Sequence, residues 1–327
     1  MDQTLPGTKP LISIVMCAYN GLHYTREAVG DILAQTFTDW ELIIADDGST
    51  DGTRVWLEEN CTDPRIRVLF NEKNLRYVAN KNNALRQARG LYLTQLDNDD
   101  RSEPDRLQKM VAVLNKKPGI KIIGCGYKFI DDDTTVLREI APEKDIVLNK
   151  RPTEGYPFWF PSLLVHRSLF DEIGYFDPYF GGIGDDIYWT VKANKRYPIY
   201  CLKDILYSYR NNPDSLTNSD VSVRKLVMPE ILKRILAQQE QEGTDLLAEG
   251  KMEELKNLEN ELAGNKKFMA EQYRVWAAKS VDKRDYGLAF NLLRKSVKLD
   301  IKNRLWINTF IYLLRQKVLS GFKKNQP

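Results

Sequence analysis

Residues 41–53 read ELIIADDGSTDGT, a short apolar run that stops in a turn of aspartates, glycines and hydroxyls. The run from Leu42 to Ala45 has the length and composition of a strand buried on both faces. The cluster that follows is turn chemistry, and it opens a helix near Thr53. Working outward, LISIVMC (11–17) is another β-branched apolar run, followed by Ala18 and the polar Tyr19 and Asn20. Between the two, residues 22–36 read as a helix with Ala28, Ile32 and Leu33 on one face. Downstream, RIRVLFN (65–71) is a third strand, and residues 79–89 are helical with Gly90 as C-cap. LYLTQLD (91–97) is a fourth strand running into DNDD, after which Pro104 opens a helix through about Leu114. Strands alternating with helices in this way make a parallel sheet with helices on both faces. Ligands of such sheets sit outside the carboxyl ends of the strands. The turns carrying Ala18–Asn20, Asp46–Asp47 and Asp97–Asp99 all fall at that edge, so they are expected to meet in space.

Beyond residue 121 the pattern changes. KIIGCGYKFI (121–130) and residues 163–166 look like strands of a mixed extension, set among aromatic loops such as YPFWFP (156–161). From 221 the chain is rich in Glu, Gln, Lys, Leu and Ala and reads as helices, with amphipathic helices at 285–300 and 303–320. The expected domains are therefore 1–218 and a helical extension, 219–327. The 327 residues are 43% hydrophobic and 28% charged, with a formal net charge of +3. That is an ordinary globular composition, and it gives no electrostatic argument for nucleic acid. Cys17, Cys61, Cys125 and Cys201 have neither zinc-finger nor redox-pair spacing and read as free thiols. His23 and His166 are the only histidines, which excludes a histidine-rich metal site. MDQTLPGTKP (1–10) lacks a signal-peptide core, and Leu305–Leu314 is too short to span a bilayer. A cytoplasmic location is expected; the basic C-terminal helices read either as an appendage packed on the main domain with cations facing solvent, or as a peripheral contact on the inner membrane face.

Three acidic groups carry the chemistry. LDNDD places Asp97 and Asp99 at the end of a strand, where one or two carboxylates plus substrate phosphates suit Mg²⁺ or Mn²⁺. Such a cation neutralises charge on a departing diphosphate; the plainer reading is a solvated turn or helix cap. Asp47 can accept the N–H of a nucleobase on which Tyr19 stacks, while Asp51 caps the following helix. GGIGDD (181–186) supplies Asp185 and Asp186, either as a base for an acceptor hydroxyl or as acids at a helix start. Trp159 and Phe160, between prolines, either stack on an acceptor sugar or pack the core. Arg210 either meets a diphosphate or pairs with an acid.

At these residues the sequence resembles the family 2 glycosyltransferases, over about 11–218. SIVMCAYN, ILAQTFTDWELIIADDGSTDGT, LDNDD…PDRL, SLFDEIGYFDPYFGGIGDDIYW and YSYRNNPDSLT match that family's motifs in order. The resemblance implies an α/β GT-A fold, that is, a Rossmann-like, mostly parallel sheet binding a nucleotide-diphospho-sugar, here with a C-terminal helical extension. It implies an inverting, metal-dependent hexosyltransferase using a UDP-sugar and a glycan, lipid-linked or protein hydroxyl acceptor in cell-surface polysaccharide or glycoconjugate synthesis. Donor-binding residues would be Ala18, Tyr19, Asn20, Asp46, Asp47, Arg76, Lys81, Asp97 and Asn98. Asp99 and Asp97 would hold Mn²⁺ or Mg²⁺. Asp186 would be the general base, with Asp185 a second candidate in the adjacent register. Arg210, Asn212 and Trp159 would contact diphosphate or acceptor. Three positions depart from the family: Arg76 replaces a common glycine, Lys81 an arginine, and Asn212 a histidine. Two rival readings remain from the residues, a nucleotidyltransferase and an inactive GT-A-like scaffold. The first wants a basic Gly-rich loop after strand 1, which CAYNGLHY is not.

Overall fold

The computed structural model describes residues 9–152, 155–212, 215, 221–282 and 285–323. The expected boundary at 218–219 and residues 213–214 and 216–217 of the YSYRNNPDSLT motif lie outside these. The chain divides into two compact units, Met1–Ser219 and Asp220–Pro327.

The first unit is built on a ten-stranded sheet. Its strands are β1 Ile12–Ala18, β2 Trp40–Asp46, β3 Ile66–Phe70, β4 Tyr92–Gln95, β5 Arg101–Ser102, β6 Ile122–Ile130, β7 Val136–Ile140, β8 Ile146–Leu148, β9 Leu164–His166 and β10 Ile199–Arg210. The order is β3-β2-β1-β4-β9-β6-β10-β5, with β7 on β6 and β8 on β10. β3, β2, β1 and β4 are mutually parallel, and β6 is parallel to β10; β9, between β4 and β6, is antiparallel to both. The helices are α1 Leu22–Leu33, α2 Thr53–Asn60, α3 Tyr77–Gln87, α4 Arg106–Lys116, α5 Ser168–Ile173 and α6 Asp185–Arg196.

β1 and β2 are buried at every position because helices cover both faces. Alternate residues feed two cores. Ile12, Ile14, Met16, Leu42 and Ile44 pack with Ala28, Val29 and Ile32 of α1 and with Leu107 and Met110 of α4. Val15, Ile43 and Ala45 pack with Val78, Ala84 and Leu85 of α3 and with Trp189 and Ala193 of α6. Leu33, expected on the buried face of α1, is 46% exposed, because the helix ends there and the chain turns away.

Two helix boundaries differ from expectation. Pro104 stands outside α4, which begins at Arg106. α3 ends at Ala88 rather than at a Gly90 cap. Gly90 serves a different need: a Cβ there would lie 2.5 Å from the backbone nitrogen of Ser13. Its own N–H donates to Ser13 Oγ at 2.7 Å. Glycine is thus required for the close approach of the α3–β4 turn to β1.

The second unit holds α7 Val223–Glu242, α8 Met252–Gly264, α9 Lys266–Asp282, α10 Tyr286–Leu299 and α11 Leu305–Lys323. Ser222 caps α7 through Lys225 N, and Asp285 caps α10 through Leu288 N. Ala289 of α10, Val281 of α9 and Leu313 of α11 form a small apolar core. Among the described residues no helix is long and apolar enough to cross a membrane.

Candidate active site

The turns after β1, β2 and β4 meet at one rim, stitched by side chains. Asn20, in the left-handed region at φ 58, presents its N–H to Ser49 Oγ (2.7 Å), and its Oδ1 accepts from Thr50 N (2.8 Å). Its carbonyl accepts from Asn98 Nδ2 (3.1 Å), which also donates to Thr25 Oγ1. Asp47 N donates to the Ala18 carbonyl at 2.8 Å. Asp51 receives the first N–H of both α1 and α2, from Leu22 and Thr53. One carboxylate thus fixes two helix starts.

Of the residues expected at the nucleotide, Tyr19 and Arg76 are exposed. Asp47 is buried, and its Oδ1 accepts from Leu75 N (2.7 Å) and Asn71 Nδ2 (2.9 Å). Both bonds fall on one oxygen. Asp46 is fully buried: Oδ2 accepts from Ser49 N, and Oδ1 has no hydrogen-bond partner among the described residues. Asn20, Asn98 and Asp46 therefore shape the rim. Arg76 stands before α3 at φ 71 and ψ 154, between Leu75, bound to Asp47, and Tyr77, bound to Asp97.

The acidic turn after β4 is braced from beneath. Gln95 Nε2 and Tyr77 OH both donate to Asp97 Oδ1. Asn212 Nδ2 donates to Asp99 Oδ2 at 3.0 Å. Both side-chain bonds to Asp97 fall on Oδ1, and the bond from Asn212 falls on Oδ2 of Asp99. Burial first, then the charge of Asp99, push Asp97 up to about 6 against the pull of Gln95, Lys81 and Tyr77. Burial also raises Asp99. Two carboxylates held close and desolvated on one turn fit a divalent cation that takes its other ligands from phosphate and water. No three His, Cys, Asp or Glu among the described residues form a complete protein cage.

Sequence reasoning missed Asp100. It is buried, accepts from Tyr207 OH (2.6 Å) and Arg210 N (2.8 Å), and ties the turn to β10. In the sequence it was only the second aspartate of a pair, and nothing local marked which of the two pointed inward. Arg210 is likewise buried and committed. It donates to Glu27 (2.6 Å), to the Asp99 carbonyl (2.8 Å) and to the Asp132 carbonyl (2.9 Å), so its guanidinium is a strut of the turn rather than an open diphosphate ligand.

Asp185 and Asp186 begin α6 and separate sharply. Asp185, 2% exposed, receives Lys81 Nζ at 2.7 Å. Lys81, 1% exposed, also lies 3.8 Å from the Phe176 ring centroid. Burial alone would depress Lys81, but Asp185 more than reverses this and holds it above its usual range. Lys81 and Asp185 are therefore a buried pair. Asp186 accepts from Ile187 N and lines a pocket of about 140 Å³ with Tyr127, Tyr156, Phe158, Trp159, Phe160 and Arg151. Burial and the neighbouring Asp185 push Asp186 up to about 6, with Lys81 opposing. Trp159 both packs on Tyr127 and Tyr209 and faces this pocket.

The acids are close enough to act on one another. Lys81 feels Asp185, Asp186 and Asp97 together, and the buried thiol of Cys17 on β1 feels Asp97, Asp47 and Asp185. Leu75 meets Asp47, Tyr77 meets Asp97 and Lys81 meets Asp185, so one stretch of chain at the start of α3 ties the three acidic segments together.

This architecture is the GT-A fold. The chain is similar to S. aureus TarS 1–349 in complex with UDP-GlcNAc, with a TM-score of 0.55 and 16% identity, over 98% of this chain and 93% of that one. It is also similar to the mannosyltransferase PcManGT from Pyrobaculum calidifontis in complex with GDP-Man and Mn²⁺, with a TM-score of 0.52 and 17% identity, over 98% and 89% of the two chains. Residues 13–174 match the model of glycosyl transferase family 2. The chain is 36% identical over 218 residues to the putative teichuronic acid biosynthesis glycosyltransferase TuaG of Bacillus subtilis (strain 168), covering 66% of this chain and 83% of that relative. It belongs to glycosyl transferase family 2 and is a glycosyltransferase.

Proposed function

We propose that the protein transfers a hexosyl group from a nucleotide-diphospho-sugar, a UDP-sugar, to a hydroxyl acceptor with inversion at the anomeric carbon. The acceptor would be a growing glycan or lipid-linked saccharide of a cell-surface polysaccharide, and the work would be done in the cytoplasm, at the inner membrane face. The observation that carries this reading is the position of Asp186. It lines an aromatic pocket next to Asp185, whose partner Lys81 lies 4.6 Å from the ring centroid of Tyr77, the residue that meets Asp97, and its carboxyl is raised to about 6.

In the step proposed, an acceptor oxygen bonds to the anomeric carbon as the bond from that carbon to the diphosphate oxygen breaks. The acceptor proton passes to Asp186, and the nucleoside diphosphate leaves with the electron pair. Asp186, raised but still ionised at neutral pH, suits a general base. Asp185, neutralised by Lys81, instead sets the field around it. Trp159 and its aromatic neighbours offer flat apolar faces to the acceptor ring. Tyr19 and Asp47 would receive the base, and Arg76 the donor's negative charge. Asp97 and Asp99 would hold Mn²⁺ or Mg²⁺, which when bound offsets charge on the departing diphosphate. The complex of PcManGT with Mn²⁺ supports that reading by fold alone.

The test is Asp186→Asn. Transfer should fall by at least about a thousandfold, as for loss of an essential base, while the thermal shift produced by UDP persists. Wild-type transfer rates in that variant would refute the assignment. Asp99→Ala should abolish the extra thermal shift that Mn²⁺ adds to UDP; an undiminished shift would remove Asp99 from the metal site.

A further inference from the structure

The second unit carries its charge unevenly. α8 has Glu253, Glu254, Glu259 and Glu261 against Lys256. From Tyr286 to Lys317 the chain has seven lysines and arginines and a single acid, Asp300. The same stretch exposes large apolar side chains, among them Phe290 at 52%, Ile301 at 69% and Leu305 at 49%. On α11, Ile307, Ile311 and Leu314 follow at spacings of four and three, so they form one stripe, and all three are exposed. Arg304 and Arg315 flank that stripe and are exposed too, whereas Thr309 and Leu313 on the other side are buried. Along α10 runs a groove of about 370 Å³ that joins Leu288 and Leu292 to the cations Arg294, Lys295 and Lys298.

We propose that α10 and α11 form a docking face for an anionic lipid bilayer. The helices would lie in the interface, with Ile307, Ile311 and Leu314 at the acyl-chain boundary and Arg304, Arg315 and Lys298 on headgroup phosphates. An apolar stripe bordered by guanidinium and ammonium groups is the pattern that partitions into such an interface. The inference rests on the peripheral placement proposed above, but not on the transferase chemistry. A second copy fits this face poorly, since a two-fold contact would set each arginine cluster against its own image. Nucleic acid would satisfy the cations but leave the apolar stripe in water. The helices lie on the bilayer rather than across it, since none among the described residues is long and apolar enough to span.

The test is co-sedimentation of the whole chain with vesicles of phosphatidylglycerol and phosphatidylcholine, against pure phosphatidylcholine. Partitioning should be at least about tenfold stronger on the anionic vesicles and should collapse in about 0.5 M salt. Arg304→Glu with Arg315→Glu should lower it at least about tenfold. Ile307→Ser with Ile311→Ser should lower it too, with melting temperature and UDP thermal shift unchanged in both double variants. Equal binding to neutral vesicles, binding to neither, or wild-type partitioning of either variant overturns the proposal. So does a dimer in sedimentation equilibrium that the same substitutions dissociate, or single-stranded DNA binding that survives the serine changes. Vesicle binding without transfer would sink the enzyme reading alone; transfer without vesicle binding would sink this one alone.

Discussion

Arg76 holds its backbone at φ 71 and ψ 154, a region nearly reserved for glycine. A conformation of that kind persists when its surroundings enforce it, and here Asn74 Oδ1 accepts from Arg76 N while Asp47 fixes Leu75 N. Replacing Arg76 with Gly should raise stability by about 1–3 kcal/mol by relieving the strain. The same change should weaken UDP binding, because a guanidinium at the rim is lost. Denaturant titration and calorimetry on one preparation read both effects, and a loss of stability would contradict the strain. Asp186 makes a second prediction. Its carboxyl is raised to about 6 in the folded chain, whereas in the unfolded chain it titrates near about 4. The folded state therefore holds this proton more tightly, so the group's contribution to stability is complete below about pH 4 and is lost as pH rises through about 6. Asp186→Asn should be about 1–2 kcal/mol more stable than wild type near neutrality, allowing for the pocket's open side, and should match it near about pH 3.5. Wild-type transfer should lose rate as pH falls through about 6, where the base becomes protonated.

Among the elements, the α3–β4 turn is the least tolerant. Gly90→Ala would drive a methyl into the Ser13 backbone and disturb the Gly90–Ser13 bond. Overpacking against backbone typically destabilises by about 1–3 kcal/mol, and a lowered melting temperature checks it. This turn also shows how far the sequence could be read. β1 to β4 and the helices between them were legible because two-sided burial writes continuous apolar runs into the chain. Gly90 was visible as a break but not as a contact, since Ser13 lies far away in sequence. Residues 163–166 read as a strand, but the antiparallel insertion of β9 between β4 and β6 and the pairing of β10 with β5 were not legible, because strand partners are fixed by contacts far apart in sequence. At the site, residue types pointed to Asp47, Asp97, Asp99, Asp185 and Asp186 but could not say which member of each adjacent pair faces inward. In the pairs Asp99–Asp100 and Asp185–Asp186, Asp100 and Asp185 are the more deeply buried, distinguished by Tyr207, Arg210 and Lys81 arriving from elsewhere in the chain. The aromatic pocket was legible in the loop YPFWFP (156–161); Tyr127 joins it through folding.

At the scale of the whole molecule, the first unit gathers carboxylates from the turns after β2 and β4 and from the start of α6, while the second concentrates cations on two helices. Like charges brought together out of water repel, and the chain answers with fixed partners: Lys81 for Asp185, Asn212 for Asp99, Gln95 and Tyr77 for Asp97. Arg210 completes this by joining α1, the acidic turn and the loop after β6 through one guanidinium. With that crosspiece in place the carboxylates are oriented before any ligand arrives. Folding has already met the work of aligning their dipoles, so little reorganisation energy is left to be supplied when a sugar changes hands.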